Sequence, residues 1–324
     1  MFNNKSILIT GGTGSFGTAC VNHLIKYYKC KKIIIFSRDE MKQYEMKNHF
    51  INEKNMRFFL GDVRDLDRLK IAFKGVDYII HGAAIKHVPL AEYNPLECIK
   101  TNIYGSSNVV AAAVDAKVKK VIALSTDKAV NPINLYGATK LCAEKIFVDG
   151  NAISGKNSTR FSVVRYGNVL SSRGSIIPLI KKIKSENQKH IPLTDEKMTR
   201  FFINLEEAVK FVLASFEIMD KGEIFVPKMP SVYIKDLMKT IYPKGEIKII
   251  GIRPGEKIDE LLISKDECLD AHELKNGYAL IPKKLYFTSA LRSKLKKVNK
   301  AFEYNSRDNK NFLNSKEFKN LLDK

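Results

Sequence analysis

The run Ser6-Ile7-Leu8-Ile9-Thr10-Gly11-Gly12-Thr13-Gly14-Ser15-Phe16-Gly17 carries an apolar strand straight into a glycine-rich turn. Ser6 to Thr10 has the unbroken apolar character of a strand buried on both faces. Thr18 to Tyr28 then continues as an amphipathic helix. Glycines 11, 14 and 17 let the chain turn tightly, let backbone approach a pyrophosphate, and let the helix pack closely on the strand. A glycine triplet alone also fits a turn with no ligand. The strand before it and the helix after it supply the context of a dinucleotide site built from Gly11, Thr13, Gly14, Ser15, Phe16 and Gly17.

Strand signals repeat outward from this turn. Lys32 to Phe36 ends in Ser37-Arg38-Asp39, where the adenosine ribose of a dinucleotide is read. Ser37 and Arg38 come first, with Lys42 one turn on, which suits a 2′-phosphate and points to NADP. Asp39 leaves NAD open. Leu60-Gly61-Asp62-Val63 closes a third strand, with Asp62 placed for the adenine amino group. A fourth, Tyr78 to His81, runs into Gly82-Ala83-Ala84, residues small enough for a cofactor to lie against. Val121 to Ser125 and Phe161 to Tyr166 follow. Strands alternate with helices from residue 6 to about 169, so the chain is α/β, with a doubly wound parallel sheet of Rossmann type. We expect residues 1–169 to form the nucleotide domain, with 204–219 returning to it. Segments 170–200 and 222–285 are expected to form a smaller substrate lobe, and 286–324 a basic tail.

The densest chemistry lies at Ser125-Thr126-Asp127-Lys128, with Tyr136 and Lys140 beyond it. These residues leave a strand at its carboxyl end, where open α/β sheets bind ligands. Tyr136 and Lys140 share one face of a helix running from Tyr136 to Phe147. A lysine one turn away favours the phenolate and lets the phenol accept a proton. An acid, two amines and a phenol together suit removal of hydride, proton and water from one substrate. By themselves Asp127 and Lys128 also fit a surface ion pair.

GGTGSFG, FSRDE, GDVRD, KHVPLAEYNPLECIKTN, LSTDKAVNPINLYGATKL, RYGNV, MTRFF and IRPGEK occur in that order over residues 1 to about 265. In these motifs the chain resembles the extended short-chain dehydrogenase/reductase family, and within it the UDP-N-acetylglucosamine 4,6-dehydratases that invert C5. That branch opens pseudaminic acid biosynthesis and serves flagellin glycosylation. Lys128 stands where dehydratases that retain C5 usually carry glutamate, and Tyr136 separates the chain from the membrane-attached branch, which lacks it. The resemblance implies that Tyr136, helped by Lys140, takes the O4 proton as hydride leaves C4 for the nicotinamide. Lys128, held neutral by Lys140 and partial burial, then takes the C5 proton while Asp127 protonates the departing C6 hydroxyl. Ser125 or Thr126 is expected to polarise the C4 oxygen, with Thr126 favoured because a hydroxyl directly beside the acid resembles the dehydratase arrangement. It further implies Tyr166 near the nicotinamide, Asn168 and Val169 on the nucleotide sugar, and Lys86 within reach of either ligand. Arg173, Arg200 and Arg253 are expected on the diphosphate, Glu256 on the uridine ribose, and Thr194 among the substrate contacts. Three positions depart from the family pattern: Gly82 replaces alanine, Ser171 replaces glycine, and Asp259 replaces histidine in IRPGEKIDE.

Five cysteines show no paired spacing and six histidines form no cluster, so neither disulfides nor a metal is expected. No apolar run reaches membrane length and Met1-Phe2-Asn3-Asn4-Lys5 has no signal-peptide form, which fits a cytoplasmic enzyme with no membrane insertion. The net charge of +20 raises the question of nucleic acid, and the stretch from Lys283 onward holds twelve basic against four acidic residues. That stretch has few aromatics and no readable nucleic-acid motif, so a solvated basic surface that draws in an anionic UDP-sugar is expected. By resemblance the helical segments Asn94 to Ala116 and Tyr136 to Phe147 make subunit contacts in a homo-oligomer. A retaining dehydratase, a UDP-hexose 4-epimerase and a non-enzymatic NADP-binding regulator stay as alternatives.

Overall fold

The computed structural model describes residues 1–155, 159–170, 175–283, 287–298 and 301–322. Its first half alternates β1 (Ser6–Thr10), α1 (Ser15–Tyr27), β2 (Lys32–Ser37), α2 (Glu40–His49), β3 (Met56–Leu60), α3 (Leu66–Phe73) and β4 (Tyr78–His81). There follow α4 (Val88–Tyr93), α5 (Pro95–Ile99), a π-helical turn over Lys100–Tyr104, α6 (Gly105–Asp115), β5 (Lys120–Thr126), α7 (Leu135–Ser154) and β6 (Arg160–Tyr166). Thereafter come β7 (Asn168–Val169), α8 (Ile176–Ser185), β8 (His190–Leu193), β9 (Thr199–Ile203), α9 (Leu205–Ile218), β10 (Ile224–Pro227), β11 (Ser231–Tyr233) and α10 (Ile234–Ile241). The last elements are β12 (Glu246–Ile249), β13 (Leu261–Ile263), β14 (Ala271–Leu274), β15 (Gly277–Leu280), α11 (Leu291–Lys294), β16 (Tyr304–Asn305) and α12 (Ser315–Leu322).

The large sheet runs β14-β15-β10-β6-β5-β4-β1-β2-β3. From β3 to β10 every pairing is parallel, and β15 and β14 close that edge antiparallel. The chain order reverses between β1 and β4, which makes their carboxyl ends the ligand crevice of a doubly wound sheet. Both faces are covered. Val109, Ala113 and Phe147 from α6 and α7 pack on one side, and Val21 and Leu24 from α1 with Val212 and Phe216 from α9 pack on the other. The stretches Ile224–Pro227 and Ala271–Leu280 extend this sheet and do not join the lobe to which the sequence reading assigned them.

The smaller lobe has its own core, in which Ile177, Ile180, Leu193, Phe202, Leu237 and Met238 are buried together. The end of the basic carboxyl-terminal stretch is part of it, whereas Tyr304 earlier in that stretch packs in the core of the large sheet. Phe318 on α12 is buried against Phe202 with ring centroids 5.9 Å apart, and β16 pairs with β13. Asp259, the residue where the family pattern has histidine, accepts from Thr199 at 2.7 Å and pairs with Arg307 of this stretch at 2.7 Å. The departure from pattern thus supplies the acid that an arginine in the final segment needs.

Candidate active site

Strand β5 delivers Ser125 and Thr126 to the crevice, and a short 3-10 turn, Asp127–Ala129, follows at once. Helix α7 is capped by Asn134, whose side chain accepts from the Gly137 amide at 2.8 Å. A Cβ on Gly137 would stand 2.1 Å from the Lys128 carbonyl oxygen, so only glycine lets the helix start lie on this turn. That contact seats the start of α7 on the turn, where the Tyr136 phenol feels Lys128, Asp127 and Thr126.

Asp127 is fully buried, and its Oδ1 accepts from the Thr126 hydroxyl at 2.8 Å and from Lys128 Nζ at 3.0 Å. Its Oδ2 has no hydrogen-bond partner among the described residues. A Cβ on Gly167 would sit 3.3 Å from that oxygen. The Lys128 ammonium also reaches Glu260 Oε1 at 3.2 Å and donates to Asn168 Oδ1 at 3.4 Å. Glu260 is 2% exposed and was not foreseen from sequence. Its only signal was its position as the last residue of IRPGEKIDE.

This geometry corrects the expected charge of Lys128. Burial works against the ammonium, but Asp127 and then Glu260 outweigh it, and the group is held above the ordinary lysine range although Arg200 opposes. The expected neutral amine is therefore a charged one in this arrangement, and Lys140 is not what acts on it. Lys140 instead donates to the Leu124 carbonyl at 2.7 Å, and burial, partly offset by Glu144, brings it down to about 8. Tyr136 is pushed up to about 12, by burial foremost, and Lys128 is the cation that draws it back. The expectation that Lys140 favours the phenolate passes to Lys128. Ser125 Oγ is buried and without a hydrogen-bond partner among the described residues, whereas the Thr126 hydroxyl donates to Asp127 at 2.8 Å and accepts from the Lys128 amide at 3.4 Å.

At the nucleotide end, Gly11 has φ +66° and a Cβ there would lie 2.9 Å from Ala83 backbone atoms. The turn after β1 therefore touches the loop after β4 that carries Ala83, Ala84 and the exposed Lys86. A Cβ on Gly17 would meet the Gly12 oxygen at 2.2 Å, which explains how closely α1 approaches the turn. No side chain caps α1 at Gly14 and no acid lies in its first turn, so the amides from Ser15 onward suit an anion. Phe16 stacks with Tyr166 at 6.4 Å, and the Thr13 and Ser37 hydroxyls are 3.0 Å apart. Arg38 is exposed beside Asp62 at 3.7 Å, while Asp62 itself is held by Arg64 at 2.8 Å above the buried Val63. Asp39 caps α2 through the Lys42 amide and also pairs with the Lys42 ammonium, so its carboxylate is already engaged. The cradle fits a dinucleotide.

On the substrate side the IRPGEK loop is pinned to the catalytic turn. Asn134 donates to the Gly255 carbonyl at 2.8 Å, and Lys257 Nζ donates to Val130 at 2.6 Å. Arg253 forms a two-point pair with Glu256, both contacts at 2.9 Å, and Glu256 also accepts from Thr194 at 2.9 Å. Burial would raise the Glu256 carboxyl, but Arg253 and Thr194 bring it below the usual range. Arg200 departs from expectation. Its guanidinium donates to the carbonyls of Thr199, Ile258 and Lys257 and faces Glu260 at 3.7 Å, so it is engaged within the protein. Asn168 and Val169 pair with Phe202 and Ile203. Arg173 and Ser171 lie outside the described residues. Among the described residues no group of acids, histidines or cysteines is disposed to hold a metal, and no helix is long and apolar enough to cross a membrane.

Residues 7–282 match the family model described as polysaccharide biosynthesis protein. The chain belongs to this family. A Campylobacter jejuni member named UDP-N-acetylglucosamine 4,6-dehydratase (inverting) is 53% identical over 329 residues, covering 99% of this chain and 98% of the relative. A Rickettsia bellii member named UDP-glucose 4-epimerase is 44% identical, covering 99% of this chain and 96% of its own. Among solved structures, Pen from Bacillus thuringiensis is 38% identical and superposes with a TM-score of 0.90 over 99% of this chain and 98% of that one. Family likeness thus runs through the carboxyl-terminal segment that no sequence motif reached.

Proposed function

We propose that the protein is an NADP-dependent UDP-N-acetylglucosamine 4,6-dehydratase that inverts C5. The observation that carries this reading is the buried Asp127–Lys128 pair, at 3.0 Å, with Asp127 Oδ2 free of any protein donor among the described residues. An epimerase moving hydride at C4 has no use for such a pair. The identity of 53% to a relative of that name supports the same reading.

The glycine turn and the first amides of α1 would hold the cofactor pyrophosphate, Ser37 and Arg38 a 2′-phosphate, and Tyr166 the nicotinamide side. When bound, the nicotinamide supplies an acceptor for hydride from C4 and returns it at C6. Tyr136 Oη takes the O4 proton, and the nearby Lys128 ammonium stabilises the phenolate that would otherwise be costly in a buried site. A 4-ketone acidifies the C5 hydrogen. In the Asp127–Lys128 pair, one proton moving from Nζ to the carboxylate yields an amine for C5 and an acid for O6. Asp127 Oδ2, which has no hydrogen-bond partner among the described residues, is the oxygen of that carboxyl left to carry the proton to O6. Arg253 and Glu256 then take the diphosphate and uridine ribose. Engagement of Asp39 in capping α2 favours NADP over NAD.

The Rickettsia relative's name favours one second reading, a UDP-hexose 4-epimerase. Purified protein given UDP-N-acetylglucosamine in deuterium oxide, with NADP or NAD added, separates the two by mass spectrometry and NMR. Loss of water, deuterium at C5 and L-type ring couplings are expected, with NADP the better cofactor. A product of unchanged mass and altered C4 would establish the epimerase instead.

A further inference from the structure

We propose that Glu260 is a positioning residue that clamps Lys128 opposite Asp127 and directs the mobile proton of that lysine to Asp127. The inference rests on reading Lys128 as the C5 base, and it concerns how a lysine held as an ammonium comes to present a lone pair.

Three protein acceptors surround Nζ: Asp127 Oδ1 at 3.0 Å, Glu260 Oε1 at 3.2 Å and Asn168 Oδ1 at 3.4 Å. Nζ donates to Asp127 and Asn168 and sits against the Glu260 carboxylate as an ion pair, so the resting ammonium is held between two acids and has no lone pair with which to take a proton. One proton must first pass to a carboxylate, and two are in reach. The two differ in their other neighbours. Glu260 Oε1 faces Arg200 Nε at 3.7 Å, and that guanidinium is fixed by the carbonyls of Thr199, Ile258 and Lys257. Lys257 also feels Glu260 more strongly than Asp127, while its own Nζ rests on Val130. Asp127 has, besides Lys128, the Thr126 hydroxyl at 2.8 Å, and the Tyr136 phenol lies beyond it. Fixed cations beside Glu260 oppose a proton there, and Asp127 has no comparable ion pair.

The step balances within the pair. An N–H bond of Lys128 breaks as an O–H bond of Asp127 forms, with no change in net charge. In the elimination the C5–H proton goes to Nζ, its electron pair becomes the C5–C6 double bond, and the C6–O6 bond breaks. O6 leaves as water with the proton from Asp127. The ion pair is thereby restored, with Glu260 holding the amine throughout. Glu260 reaches this position from the residue just before β13, far in sequence from the turn it completes.

Glu260→Gln keeps the shape and removes the charge. The alkaline limb of its kcat profile, where the pair loses its single proton, is expected to move to lower pH by about one unit or more, the usual effect of losing an opposite charge at this range. kcat should fall at least about tenfold, with a smaller change in KM for the sugar nucleotide. Glu260→Asp, which withdraws the carboxylate by one methylene, should lie between. A readout without turnover is the Nζ resonance of Lys128 in lysine-labelled protein, assigned by its absence in Lys128→Met. That resonance should titrate at lower pH in Glu260→Gln than in the wild type. Loss of activity with an unmoved resonance and an unmoved limb would reduce Glu260 to a packing role and overturn the proposal. Should the wild type fail to dehydrate UDP-N-acetylglucosamine while the resonance still shifts, the dehydratase reading falls and the hold of Glu260 on Lys128 stands.

Discussion

Lys128→Met tests the charge arrangement and the chemistry together. The side chain loses its ammonium at nearly constant length, leaving Asp127, fully buried, and Glu260, 2% exposed, without the cation that lay 3.0 and 3.2 Å from them. Removing one partner of a buried pair costs about 3–5 kcal/mol. The Lys128 side chain is itself 23% exposed, so solvent screening argues for the lower end, about 3 kcal/mol. In a chain of this size that corresponds to a fall in Tm of roughly 4–5 °C. Loss of the base should lower the rate of water loss about 10²–10⁴-fold. The double variant Lys128→Met/Glu260→Gln separates the two effects. It removes one positive and one negative charge and so leaves the net charge of the pocket as in the wild type, and most of the lost Tm should return while water loss stays low. Thermal melting and mass spectrometry of the sugar nucleotide read the two quantities independently. Wild-type water loss in the single variant would remove the lysine from the mechanism. A double variant no more stable than the single would refute the electrostatic account of the pocket.

Phe318→Ala should cost about 3–5 kcal/mol, because the ring is 1% exposed and seated on Phe202. Limited proteolysis should then cleave before α12, and an unchanged digest would mean that the terminal helix is not held by this ring. Arg165→Met should cost a similar amount, about 3–5 kcal/mol, since the fully buried guanidinium makes two hydrogen bonds to Glu144, 1% exposed, and two to Glu267. Adding Glu144→Gln should recover part of that loss in a thermal melt, and no recovery would show that the buried carboxylate is not what destabilises the single variant.

Much of the nucleotide half was legible because its signals are local. Ser6 to Gly17 states a strand, a turn and a helix within twelve residues, and the reversal between β1 and β4 follows from repeating that unit. Asp127, Lys128 and Tyr136 were legible for the same reason, since one strand end and one helix start bring them together. Other features depend on contacts that no local pattern encodes. Tyr304 and Phe318 lie in a lysine-rich stretch that reads as solvated, yet Tyr304 hydrogen-bonds Met229 through both the backbone amide and the carbonyl, and Phe318 enters the lobe core. Arg200 was expected on an anion because it falls in the MTRFF motif of the family resemblance. Its direction was decided by three carbonyls, two of them in the loop nearly sixty residues later.

The charge of Lys128 shows why that division matters for function. An amine beside one acid, with Lys140 expected near it and partial burial, reads as a base of lowered affinity for its proton. A second buried acid, joined to the site only by the pairing of distant segments, reverses that conclusion. Identity and order of catalytic groups are written along the chain, but their resting protonation belongs to the assembled pocket. Under the proposed dehydratase reading, a lysine held as an ammonium would not strip C5 prematurely and would become a base only as Asp127 became an acid, which would tie deprotonation at C5 and departure of O6 to one shared proton.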